Sequence, residues 1–314
     1  MYRGTKYRKF DSVRPFGVEL EASNTITRHE IWSVVIKHSH RSAVVTDWGQ
    51  THGNRHWHIK TDSTCGPKGK GLDHGYEVAS YKAAGLADIF HISEVACRLN
   101  EYGVQVNENC GLHVHADVSD FVPAQVGVFA AHWLKIEPFL FGCVPRHRSS
   151  NPYCRSLRSV FPLDSREGRY TALEMWELVC PADICVFENP ERRVAVNFMN
   201  YATGLRRKRW SRKTLELRLP EGTFLPIHVK NWIRFFLNLV EYCKDRPMPE
   251  NIGPCLDVAE ALRYCGLGHD EDFFIFSPGL HETRIWLLER CLRFGGSAWG
   301  SMANNMLKFI SQPA

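Results

Sequence analysis

Three short stretches of this 314-residue chain set charged groups two residues apart, the spacing that puts them on one side of a strand. In Gly17-Val18-Glu19-Leu20-Glu21 both glutamates project one way while Val18 and Leu20 project the other. Leu112-His113-Val114-His115-Ala116-Asp117-Val118 separates His113, His115 and Asp117 from its apolar residues. Leu215-Glu216-Leu217-Arg218-Leu219 repeats the split, and Tyr76-Glu77-Val78 adds one more carboxylate. Like charges on one strand repel unless a cation holds them. Hard cations such as Mg²⁺ or Mn²⁺ take carboxylate oxygens, and a neutral imidazole can complete their shell. Such a face could seat a polyphosphate through two or more metal ions. Zinc is the rival, because His113-x-His115 with a third ligand would suit a tetrahedral hydrolytic site.

Any one of these strands has a bland explanation, since a half-buried strand has a wet face where charge is ordinary. The combination is what departs from it. A solvated strand is usually decorated with Lys and Thr, whereas these faces carry Glu, His and Arg.

The elements that must position these groups follow from periodicity. Val18 to Ser23, Trp57 to Thr61, Tyr76 to Ser80, Leu112 to Val118 and Thr214 to Leu219 read as strands. Helices are predicted from Arg28 to His38 and over the stretch carrying Leu86 to Leu99, ended by Gly103. A long helix opens near Pro123, another carries Val229 to Val240, and a capped one spans Gly279 to Arg293. Ser39 to His58 and Gly66 to Gly75 read as loops. Alternating strands between helices predict an α+β fold with one sheet face apolar and packed on helices, leaving the charged face for chemistry. The expected domains are residues 1–246 and a helical C-terminal extension, 247–314.

Composition narrows the class. The chain is 44% hydrophobic and 23% charged, and its net charge of +5 is too mild to argue for nucleic acid. No apolar run approaches a membrane span, and the basic N-terminus lacks a secretory apolar core, so a soluble cytoplasmic protein is expected. Eleven cysteines without a C-x-x-C pair fit reduced thiols better than a disulfide framework or a zinc ribbon. No P-loop signature occurs.

The ordered motifs F-G-V-E-L-E, D-S, Y-E-V-A-S, N-C-G-L-H-V-H, R-x-x-N-x-Y-C, V-N, T-L-E-L-R-L-x-x-G-T and W-I resemble the amidoligase family. That family is a branch of the glutamine synthetase and glutamate–cysteine ligase superfamily. The resemblance runs from Phe16 to about Phe236. It implies a glutamine-synthetase-like, mainly antiparallel sheet and ATP-dependent, Mg²⁺-dependent formation of an amide from a carboxylate and an amine. By the same resemblance, Glu19, His113 and Glu216 hold the metal on the ATP phosphates, and Glu21 and Glu77 hold the metal near the acceptor carboxylate. Asp117 and Glu174 are candidates for a third carboxylate there. Arg218 would neutralise the transferred phosphoryl group, with Arg209 and Asn197 on the nucleotide side. His115, Arg148, Asn151 and Tyr153 would contact substrate, Arg148 also serving catalysis. Asp62 would accept a proton from the amine, in a D-S stretch one residue short of the family's D-x-S. The carboxylate would come from an amino acid, a peptide or a cell-wall fragment, and a homo-oligomer is an expected partner state.

Two rival functions stand beside this one. A zinc hydrolase would use His113 and His115. A non-catalytic nucleotide- or nucleic-acid-binding protein would use the basic run Arg206-Arg207-Lys208-Arg209 with Trp210. The histidines between His38 and His58 are spaced too irregularly for a metal site and read as a surface cluster.

Overall fold

The computed structural model describes residues 13–23, 26–46, 54–66, 75–161, 169–180, 193–206, 213–268 and 278–310. Two compact units emerge, each discontinuous in sequence. The first comprises Val13–Asp117 and Glu216–Ile233, and the second comprises Val118–Leu215 and the chain from Arg234 onward.

The first unit is built on a mainly antiparallel sheet. Its strands are β1 (Pro15–Ser23), β2 (Ala43–Val45), β3 (Trp57–Thr61), β4 (Gly75–Ala79), β5 (Ala83–Ala84) and β6 (Leu112–Asp117). The C-terminal half of β8 (Thr214–Leu217) joins them, and the order is β2-β3-β4-β1-β6-β8 with β5 beside β1. β1 is central and antiparallel to both β4 and β6. β2 is parallel to β3 and lies inside the tract expected to be a loop. At three residues it is too short to show a period of its own.

Burial follows the alternation. Val18, Leu20, Ala22, Leu112, Val114 and Ala116 are at most 1% exposed, so one face of β1 and β6 is core. Each Val or Leu so buried contributes about 1.5–3 kcal/mol. Helix α1 (Arg28–His38) packs on β2, β3 and α2 (Gly85–Glu101). Thr27 and Glu30 start α1 with a reciprocal capping box. Gly103, at φ 96°, turns the chain out of α2.

The second unit is helical around α3 (Pro123–Phe141), whose residues are buried along nearly its whole length. Pro123 sits in the first turn, where its missing N–H is harmless. Phe129 packs edge-on against Phe198 and Phe236. Short helices α4 (Arg146–Ser149) and α5 (Leu157–Val160) follow, then α6 (Ala172–Val179), β7 (Val196–Asn197) and α7 (Met199–Arg206). α3 meets α6 so closely that a Cβ on Gly127 would lie 1.8 Å from the Ala172 carbonyl oxygen. Helix α8 (Pro226–Lys244) begins in the first unit, and α9 (Val258–Tyr264), α10 (Pro278–Phe294) and α11 (Gly296–Ile310) complete the second. The ten cysteines among the described residues are free thiols, and all except Cys97 are buried. No helix among the described residues is long and apolar enough to cross a membrane.

Candidate active site

The charged groups singled out by the two-residue spacing gather on one face of the first unit's sheet. Register explains how. Glu19 of β1 is paired with His113 of β6, Gly17 with His115, and Glu21 with Glu77 of β4. Directly paired residues point to the same side, so one face receives Glu19, Glu21, Glu77, His113 and His115. β8 adds Glu216, and Arg218 follows it in the chain.

Glu19, His113 and Glu216 form one tight group, offering one ligand atom each within 4.8 Å of one another. His113 Nδ1 is 3.2 Å from Glu19 Oε2 and 3.8 Å from Glu216 Oε1. Its other nitrogen, Nε2, is 3.6 Å from Glu21 Oε1. The imidazole therefore stands between the Glu19–Glu216 pair and Glu21. Glu21 Oε2 also accepts a hydrogen bond from the Gly111 backbone N–H at 2.5 Å. His115 Nε2 lies 3.3 Å from Glu19 Oε1, so the two histidines take opposite oxygens of one carboxylate. Arg218 Nη1 donates to Glu216 Oε1.

The electrostatics follow from these contacts. Burial opposes ionisation of Glu19, but the charge of His115 and the hydrogen bond with His113 outweigh it, holding the carboxyl well below its usual range. Glu216 is likewise opposed by burial yet brought down to about 2 by Arg218, His115 and His113. Burial also disfavours a charged His115, but Glu19 and Glu216 raise it to about 9. Arg218 is raised by Glu216 and Glu21 against its burial. Both carboxylates of the tight group are thus ionised at neutral pH, the state a cation requires.

Glu77 behaves differently. Burial and the neighbouring Glu19 charge push it up to about 7, although Lys60 pulls the other way. Lys60 Nζ is 2.7 Å from Glu77 Oε1. Lys60 escaped the sequence reading, although it sits in a predicted strand. The β3–β4 register pairs it with Glu77, and no local pattern carries that information.

Asp62 follows β3, its Oδ1 accepting from the Thr64 backbone N–H and hydroxyl at 2.8 and 2.7 Å. A ligand atom each from Asp62, Glu21 and Cys65 fall within 4.8 Å of one another. Cys65 was not anticipated, and Glu77 is not part of this group. Of the candidates for a third carboxylate, Asp117 pairs with Lys82 at 2.8 Å. The other, Glu174, accepts from the Thr171 backbone N–H at the start of α6.

The remaining predicted residues belong to the second unit. Arg148 of α4 is 1% exposed, and its carbonyl accepts from Cys154 Sγ at 3.1 Å. Asn151 Oδ1 accepts from the Tyr153 N–H at 2.8 Å, and the Tyr153 ring lies under the Arg193 guanidinium. Asn197 Oδ1 accepts from the Met199 N–H at 2.9 Å, where α7 begins. Arg209 and the rest of the basic run after Arg206 lie outside the described residues.

A family model described as putative amidoligase enzyme matches residues 12–240. Among solved structures, a bifunctional glutathione synthetase from Pasteurella multocida is 15% identical, with a TM-score of 0.41, over 97% of this chain and 48% of that one. The chain thus spans about half the length of that protein. A GmaS/ADP complex is 12% identical, with a TM-score of 0.34, over 97% of this chain and 71% of the other. A comparison with curated proteins gives no match.

Proposed function

From the premise that this chain belongs to the amidoligase family, we propose that it is an ATP- and Mg²⁺-dependent carboxylate–amine ligase with a glutamine-synthetase-like sheet. The observation that carries the reading is the convergence of Glu19, His113 and Glu216 within 4.8 Å, with Arg218 against Glu216. Two ionised carboxylates and an imidazole suit a hard divalent cation, so these three residues would hold one, and Glu21, with Glu77 paired to it across β1 and β4, would hold a second beyond His113. When bound, the cations would screen the charge on the ATP phosphates.

The residues of this face then act by position and charge. A substrate carboxylate oxygen attacks the γ-phosphorus of ATP, ADP departs, and an acyl phosphate results. Arg218, cationic at any physiological pH, would offset the charge on the transferred group. The amine nitrogen then attacks the acyl carbon, inorganic phosphate leaves, and Asp62 takes the nitrogen's proton. ATP is needed because a carboxylate becomes an acylating agent only once its oxygen is a phosphate leaving group. Positioning supplies much of the rate.

The zinc-hydrolase reading asks His113 and His115 to converge on one ion. They instead flank Glu19 on opposite oxygens.

Calorimetric titration with ATP tests the proposal, in Mg²⁺ and then in EDTA, on the wild type and on a Glu19→Ala/Glu216→Ala double variant. Binding that needs Mg²⁺ and weakens at least tenfold in the variant is expected. Absence of binding to folded wild type would remove the ligase reading.

A further inference from the structure

One hydroxyl joins three elements of the first unit. Ser39 closes α1, and its Oγ accepts from the Trp57 indole N–H at the start of β3, at 2.8 Å, and from the Arg41 backbone N–H at 3.0 Å. His91 Nε2 of α2 lies 3.1 Å from the same oxygen. A serine hydroxyl has two lone pairs and one proton to give. Two donors occupy the lone pairs, so the proton goes to His91 Nε2. That nitrogen must then be the bare one of a neutral ring, which carries its own proton on Nδ1.

A charge on this ring would meet others. The His40 ring lies 3.8 Å from it, centroid to centroid. The Arg41 guanidinium sits 5.2 Å from the centre of the Tyr81 ring, which is itself 6.3 Å from the His91 ring. The opposing acids are Asp88 and Glu94, both on His91's own helix. Asp88 is already engaged, accepting from the Tyr81 hydroxyl at 2.7 Å and the Ala84 N–H at 2.8 Å, with His40 Nε2 4.0 Å away. Burial, then the charge of His40 and Arg41, hold His91 below its usual range against the pull of Asp88 and Glu94.

What this turn secures is the outermost strand, β2, only three residues long. The Trp57 N–H donates to Ser42 O at 2.9 Å and the Thr46 N–H to Ile59 O at 3.0 Å. The Trp32 indole N–H of α1 donates to Ala43 O at 2.8 Å. So few bonds make β2 an element that can open by itself.

We propose that the Ser39–Ser42 turn is an acid-sensitive latch, which keeps β2 on the sheet while His40 and His91 are neutral and releases it when they gain protons. A proton on His91 Nε2 sets donor against donor at Ser39, and a second on His40 puts two cationic rings together beside Arg41. A ring held neutral in the closed state favours that state above the unfolded value of about 6.5 and withdraws its support as pH falls below it. The inference is independent of the ligase reading.

Amide exchange followed by NMR on the full chain, without nucleotide, tests it at about pH 7.5 and about pH 5.5, with rates corrected for intrinsic exchange. On acidification, protection of the Thr46 and Trp57 amides and of the Trp57 indole should fall about tenfold more than that of the α3 amides. His91→Gln gives Ser39 an amide oxygen that takes no proton, so these groups should then track α3 within about twofold. The wild-type His91 nitrogen shifts, which need no variant, should show a neutral ring protonated at Nδ1 at the higher pH. A wild-type β2 that loses no more protection than α3 would overturn the latch. So would an undiminished acid response in His91→Gln, or a His91 ring protonated at Nε2 at the higher pH.

Discussion

Glu137 of α3 is buried, at 1% exposure, and its carboxylate caps a helix to which it does not belong. Oε1 accepts from Trp133 Nε1 at 2.9 Å and from the Leu157 N–H at 2.7 Å. Oε2 accepts from the Ser156 hydroxyl at 2.6 Å and, at a long 3.3 Å, from the Arg158 N–H. Ser156 makes no side-chain cap of its own for α5, so Glu137 fills that role from another helix. Replacing it with alanine strands the Trp133 and Leu157 donors in the interior. Each stranded donor costs about 1–3 kcal/mol, so together they cost about 4 kcal/mol. Glu137→Gln keeps an oxygen toward Trp133 and Leu157 and offers Ser156 a donor, so its cost should fall to about 1 kcal/mol. Urea unfolding reads both variants, with the midpoint moving at constant slope. An alanine variant within about 1 kcal/mol of wild type, or a glutamine variant as damaged as alanine, would refute the argument.

The other expectations concern pH and packing. Glu77 must lose its proton to serve a cation, and its pKa is about 7. If it lies within reach of bound Mg²⁺, affinity should therefore rise with pH and weaken about tenfold for each unit below 7, as calorimetry across pH would show. His132 is buried, and its pKa is pushed down to about 4 chiefly by that burial. A depressed imidazole favours the folded state above the unfolded value of about 6.5 and loses that contribution as pH falls toward 4. The loss is about 3 kcal/mol, and His132→Phe should flatten the acid limb of a stability-versus-pH curve. Gly127→Ala should destabilise by about 2 kcal/mol in urea unfolding, because its new methyl meets the Ala172 carbonyl and neither helix can yield without opening the α3–α6 contact.

Much of the charged face was legible because strand alternation is local. Glu19, Glu21, His113 and Glu216 were grouped by a period of two, and α1 and β3 occupy the predicted spans. Pro123 marked the start of α3, and the predicted Gly279–Arg293 helix is α10, one residue longer at each end. What escaped was long-range. That Lys60 faces Glu77, or that Cys65 comes to Glu21, is fixed by pairing between strands and by a loop's path, neither of which leaves a periodic trace. The expected strand through Leu219 ends at Leu217, shortly before Pro220, a residue that cannot donate to a ladder. The capping of α5 by Glu137 was invisible for the same reason, since nothing near residue 157 in the sequence announces it.

The chain leaves the first unit at Asp117 and returns to it only at Glu216. During synthesis, β1, β4 and β6 can pair while the strand that flanks β6 does not yet exist. For that interval β6 is an open edge, a template for pairing with another chain. Glu19, meanwhile, has His113 and His115 beside it but neither Glu216 nor Arg218. Any product ending between 118 and 215 would keep this arrangement permanently. It would display an incomplete cluster of charged side chains on a sheet with an unprotected border, and aggregation is the expected fate of such a fragment.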